Sequence, residues 1–377
     1  MTEKTKIDLF TPKYEGERFL EHRMPLDMIE DLPVLQEMTI EMAKHLYFEE
    51  SHKTRLPKNF TQGISFELEQ LEKGSTIPRI VLITNGSGLV HEQSIDYFKR
   101  ASERIILAIQ SCNNKEDVLK CLPISVLKFF KQFGKNLKDS EHIEFKPNET
   151  IDKAKYTKES RKSLILASSN NNEYPSELTL RGMIAAMDKA RKSFEIQLAN
   201  KQKIKGVFSD PHLEALQMAF NDFEKKQKIL LHGNGLFNSV DKLLSIQEIK
   251  EIVLLEEFDV PARLEELAQL ETGWIDGQSG DALNVEGIRW LINTFDNNFD
   301  ADSNALPATF PTPNGNIQFE WSLNRIEISI EINLITHQAE YFQVNLNTKK
   351  EKIDNLNLND IADWQKLNKY VSTLKSN

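Results

Sequence analysis

The chain has 377 residues, more than one hydrophobic core ordinarily supports, so several domains are expected and we read three. Apolar residues make up 40% and charged residues 28%, the usage of a chain that folds, while a formal net charge of −10 opposes nonspecific attraction to nucleic acid or anionic lipid. No stretch reaches the roughly 18 uninterrupted apolar residues of a spanning helix, residues 1–10 lack a signal-peptide run, and the two cysteines, Cys112 and Cys121, make no disulfide framework. The expectation is a cytoplasmic protein with no membrane contact.

Residues 1–172 read as an α+β domain. Pro33 suits the first helical position, where its missing N–H leaves no bond unmade, and Leu35, Met38, Met42 and Leu46 follow at helical spacing. From Ile64 the period changes to two: Ile64, Phe66 and Leu68 alternate with Ser65, Glu67 and Glu69. A second apolar run covers 78–83, so paired strands joined through Gly74 and Ser75 are expected. Two helical segments follow, one carrying Ile95, Phe98, Ile105 and Ile109. The other, after Pro123, carries Val126, Leu127, Phe129, Phe130 and Phe133. Ser168 to Asn172, ahead of Pro175, has the composition of a linker.

Residues 173–258 carry three strand-like runs, 178–187, 194–198 and 204–208, separated by polar turns. A helix follows: Asp210 is placed to accept from the first-turn N–H groups, Pro211 starts it, and Leu213, Leu216, Phe220 and Phe223 form the expected buried stripe. Two more runs, 229–237 and 243–255, complete the order β-β-β-α-β-β, that of an OB-like five-stranded β-barrel. Closure would remove the sheet edges of so small a module.

In residues 259–377, Pro261 opens a helix with Leu264, Leu267, Ala268 and Leu270 on one face. After the break at Gly273 to Gly277 comes a helix carrying Val285, Ile288, Leu291, Ile292 and Phe295. Asn314-Gly315 supplies the positive-φ positions of a tight turn. Beyond it Ile317, Phe319, Trp321 and Leu323, then Ile326, Ile328, Ile330 and Ile332, alternate with polar residues. That pattern is an antiparallel β-meander with one wet face, extended by a strand over 341–346 and backed by a helix with Ile361, Trp364, Leu367, Val371 and Leu374. The fold class is therefore multidomain α+β.

Trp274-Ile275-Asp276-Gly277 and the later Pro311-Thr312-Pro313-Asn314-Gly315, running into Ile317-Gln318-Phe319-Glu320-Trp321, resemble a bacterial module of uncharacterised function. It carries a W-D-G element and a P-T-x-x-G-x-(I/V)-x-(L/F)-E-W element. The resemblance covers 261–344, and Ile275 is an insertion into the simpler W-D-G form. It implies an accessory protein of small bacterial operons, defence among them, with a protein partner encoded nearby.

No catalytic, cofactor or metal constellation is read. Glu144-x-Lys146 after Asp139 and Glu248-x-Lys250 after Asp241 give only half of a nuclease pattern. Neither 84–88 nor 232–235 completes a phosphate-binding loop. No histidine pair, His142 included, has zinc-helix spacing. Trp274 and Trp321 are expected in the core, and Glu320, Glu327 and Glu331 on a solvated sheet face.

One basic set stands out in an acidic chain: Arg181, Lys189, Arg191, Lys192, Lys201, Lys203 and Lys205, on the first three barrel strands and their turns. Barrels of this kind bind single strands through basic grooves and aromatic platforms. The first expectation is a non-enzymatic scaffold or accessory subunit. The alternative is a single-stranded DNA or RNA binder, marked by exposed aromatics on the basic face. An enzyme, marked by a cleft with convergent carboxylates, comes third.

Overall fold

A computed structural model describes residues 5–53, 55–57, 60–61, 64–72, 77–84, 89–146 and 154–374. Gly74, Ser75 and 85–88 lie outside the described residues. By packing, the chain divides into two compact units, one of residues 1–177 with 235–244, the other of 178–234 with 245–377. This is coarser than the three regions expected, and it cuts through strands of the central sheet. The fold is mixed α+β with four sheets.

The first unit contains β1 (Thr5–Phe10), β2 (Lys13–Glu15), α1 (Leu26–Ile29), α2 (Asp31–Ser51), β3 (Ile64–Glu72) and β4 (Ile77–Thr84). It continues with α3 (Leu89–Asn113), α4 (Ile124–Leu127), β5 (His142–Phe145), β6 (Ala154–Tyr156) and α5 (Lys158–Ser168). β1-β4-β3 and β2-β5-β6 are two antiparallel sheets. Leu35, Met38, Met42 and Leu46 are buried as their spacing requires, and the helix begins two residues before Pro33, at Asp31. The expected helix after Pro123 is instead broken: α4 gives way to a 3-10 turn over Lys128–Lys131, which still buries Phe130. Both thiols are half-buried and unbridged.

A polar brace lies inside this core. The buried Arg161 guanidinium donates to three backbone carbonyls: Lys131 at 2.7 Å, Phe133 at 3.2 Å and Pro175 at 3.2 Å. Tyr156 donates to Phe133 O at 2.8 Å. Asp31 accepts from Gly134 N at 2.9 Å through one oxygen, while its other oxygen is buried without a partner. Burial, more than the opposing backbone bond, pushes the Asp31 carboxyl up to about 7.

Five strands then form a sheet that closes in a ring: β7 (Glu173–Asp188), β8 (Ser193–Gln197), β9 (Lys203–Val207), β10 (Ile229–Asn238) and β11 (Leu243–Leu254). Around the ring the order is β10-β11-β9-β8-β7, and β9 and β11 run parallel. Its interior is alternate residues, among them Ile184, Phe194, Ile196, Ile204, Leu231 and Ile246. Gly206 is required there, because a Cβ would stand 2.5 Å from the Phe194 ring. The helix between β9 and β10, α6 (Leu213–Asn221), links strands that are not neighbours. Two expectations fail at this helix. Asp210 does not cap it but pairs with Lys192 at 2.7 Å, and Phe220 is exposed, the buried positions being Leu216 and Ala219.

The second unit ends in α7 (Val260–Leu267), α8 (Val285–Asn298), a five-stranded antiparallel sheet and α9 (Ile361–Ser372). The sheet runs β12 (Ala308–Pro311), β13 (Ile317–Leu323), β14 (Ile326–Ile332), β15 (Gln338–Asn345) and β16 (Lys350–Asn357) in chain order. Ile317, Phe319, Trp321, Ile328, Ile330 and Tyr341 are buried together on one face with Leu291, Phe295, Trp364 and Leu367 of the helices. Trp321 donates to Ala305 O at 2.8 Å. No described helix is long and apolar enough to cross a membrane.

Candidate functional site

Arg181 stands on β7, and its side chain is only 10% exposed. It donates to Glu265 of α7 at 3.3 Å and to Asp296 of α8 at 2.7 Å, so its charge is spent inside the unit. Burial raises both carboxyls and the Arg181 charge pulls them back. Lys189 donates to Gln217 at 2.9 Å, Arg191 lies 3.7 Å from Asp188, and Lys205 lies 3.9 Å from Glu195. Lys192 is taken by Asp210. Lys203 and Lys205 alternate outward along β9, and Lys201 occupies the turn before it at φ 65°. The ring thus brings Lys201, Lys203 and Lys205 close in sequence and space but withdraws Arg181. Phe194 and Phe208, the aromatics nearest the basic set, are buried.

The half-nuclease patterns do not assemble. Asp139 is exposed and pairs with Lys158 at 2.7 Å, while Asp241 binds Lys162 and the Tyr174 hydroxyl. Glu248 accepts from Asn234 at 2.6 Å. A cavity of about 310 Å³ beside Arg181 is lined by Met183, Leu198, Ala262, Glu265 and Glu266. Its carboxylates are occupied, Glu265 by Arg181 and Glu266 by Lys228 at 2.5 Å.

The two motif segments meet each other. Asp276 accepts from Gln278 N at 2.9 Å and Ser279 N at 2.6 Å; the Ser279 hydroxyl first, then these amides, hold its carboxyl down at about 2. Gly273 and Gly277 take φ of 90° and 86°, the left-handed region that the turn needs. Asp281 N then donates to Pro313 O at 2.9 Å, tying this loop to the Pro311–Gly315 turn. Trp274 is half-buried and donates to Asp281 O at 3.2 Å, so it closes its own loop rather than entering the core. These residues build a corner.

A second charged surface lies on the outer face of the C-terminal sheet. Strand register places Ala308, Glu320, Ser329, Phe342 and Ile353 in one row across it, and Phe310, Gln318, Glu331, Glu340 and Asn355 in the next. A third row holds Ser322, Glu327, Val344 and Glu351. None of these residues is a Lys or Arg, and Glu331 faces Glu340 directly. Glu320, Glu327, Glu331, Glu340 and Glu351 have no ion pair among the described residues. The cations of β16 alternate inward, where Lys352 lies over the Tyr370 ring at 3.2 Å. Amid the carboxylates Phe310 is 45%, Phe342 37% and Ile353 72% exposed. Strand alternation alone pointed to Glu320, Glu327 and Glu331; Glu340 was missed because β15 begins earlier than expected, and Glu351 and Ile353 because β16 has no strand-like pattern of its own.

The chain matches no protein-family model, no curated protein and no solved structure.

Proposed function

We propose that this protein is a non-enzymatic scaffold or accessory subunit of a bacterial multi-protein system, and that it docks a Lys- and Arg-rich protein partner on the outer face of its C-terminal sheet. The observation that carries this reading is the single-sign face itself: five glutamates, no compensating cation among the described residues, and exposed Phe342 beside Ile353. Like charges opposed on a sheet repel, and a basic partner relieves that repulsion while its approach is steered by the field. The apolar pair supplies the desolvated centre that charge alone does not.

We further read the ring as an OB-like barrel. Its strand order, the parallel β9–β11 contact and a helix between the third and fourth strands support this. In our reading the barrel is structural, since Arg181 is neutralised and Phe194 and Phe208 face inward. The motif resemblance supports a cytoplasmic bacterial setting, with defence one such setting.

The test is capture of partners from the native host with and without nuclease, repeated with Glu320→Lys/Glu327→Lys/Glu340→Lys. The expected partner carries a basic surface, survives nuclease, is released by salt and is lost by the triple variant, whose circular dichroism stays unchanged. Capture that nuclease abolishes, or that the triple variant retains, overturns the proposal, the first outcome in favour of single-strand binding through Lys201, Lys203 and Lys205.

A further inference from the structure

The first unit holds a cluster of different chemistry. β2 and β5 pair antiparallel with Glu15 opposite His142 and Lys13 opposite Glu144. Tyr14, Ile143 and Phe145 are buried in the core, so by alternation these four side chains share the other face. His142 Nε2 lies 2.9 Å from Glu15 Oε2 and 3.5 Å from Glu144 Oε1. All three donor atoms fall within 4.8 Å of one another. Glu144 is 7% exposed, which keeps one carboxylate of the cluster largely out of water.

Two carboxylate oxygens therefore converge on one imidazole nitrogen, an arrangement that an N–H hydrogen bond or a metal ion between the three atoms would satisfy. We propose that Glu15, His142 and Glu144 form a binding site for a first-row divalent cation, with Zn²⁺ the closest match. Bonds of about 2.0–2.1 Å in a tetrahedron set neighbouring donors about 3.3 Å apart, and the two observed separations bracket that edge. One imidazole with two carboxylates is a nitrogen-and-oxygen set suited to this class of ion, and three protein ligands leave a position for water or for a group of another molecule.

Lys13 competes for the site. It pairs with Glu15 and lies opposite Glu144 in the strand register. Its side chain is partly exposed, so an entering ion displaces it into solvent. Metal affinity is therefore expected to rise when Lys13 is removed.

Calorimetric titration of the tag-free full-length protein with ZnCl₂ near neutral pH tests this. One ion per chain is expected, bound at least about tenfold more weakly in His142→Ala and in Glu15→Gln, and more tightly in Lys13→Met. Glu15 and Lys13 are both partly exposed, so those two variants report on the site even if His142→Ala fails to fold. X-ray absorption of the loaded protein should show light-atom ligands at about 2.0–2.1 Å with a single imidazole. No saturable binding, or binding indifferent to Glu15→Gln and Lys13→Met, overturns the assignment.

Discussion

On β7 to β9 the sequence concentrates cations, and the folded chain spends most of them: Arg181 on Glu265 and Asp296, Lys192 on Asp210, Arg191 and Lys205 on nearby carboxylates. On β13 to β16 the glutamates are spread through the sequence, and strand register gathers them on one face with no cation among the described residues. Local sequence density is thus a poor guide to field, because a counter-charge from another element cancels it while alternation adds up distant like charges.

The two faces of the C-terminal sheet give the sharpest contrast in stability. Trp321→Ala removes a buried ring and orphans Ala305 O, so a loss of about 3–5 kcal/mol is expected in chemical denaturation. Phe342→Ala, on the outer face of the same sheet, should cost less than about 1 kcal/mol. Equal losses would mean that the outer face is covered.

Asp31 extends the comparison to a carboxyl that burial keeps neutral. Its folded pKa, about 7, lies above the ordinary 3.8, so its favourable contribution is complete below about 4 and is lost as pH rises through about 7. Relative to Asp31→Asn, the natural protein should therefore lose about 2–4 kcal/mol between mildly acidic and mildly alkaline pH. A difference that is flat with pH would show Asp31 to be ionised throughout.

Removing the counter-charge is the next test. Arg181→Met removes the guanidinium from which both Glu265 and Asp296 accept. Both are partly exposed, which reduces the usual penalty for a broken buried pair to about 1–3 kcal/mol. Adding Glu265→Gln should recover part of it; an unaltered loss would assign the cost to packing of the Arg181 stem.

The smallest effect belongs to the acidic face. Glu340→Gln relieves the direct opposition to Glu331 and should stabilise by a few tenths of a kcal/mol at low salt, fading as salt screens it. A destabilisation would place an unseen cation there.

Long, regular segments were legible: the α2 stripe, the alternation of β13 and β14, and the β-β-β-α-β-β order of the ring. The rest depended on partners. β2 has three residues, β12 four, and β16 reads KEKIDNLN, so each is a strand because a neighbour supplies its hydrogen bonds. The same dependence hid the sites. The basic set was visible, but the counter-ions of Arg181 come from α7 and α8. His142 and Glu15 meet only through the β2–β5 register, and Glu351 joins the acidic face only through β16.

The tip of the β10–β11 hairpin belongs with the N-terminal unit: Phe237 stacks on Tyr174 at 5.8 Å, and Asp241 binds both Lys162 and the Tyr174 hydroxyl. During synthesis, then, the first unit cannot finish folding when its own contiguous stretch emerges. Tyr174 waits, partly uncovered, until residues some sixty positions later leave the ribosome. Final packing around Tyr174 is therefore expected only once the hairpin tip is complete.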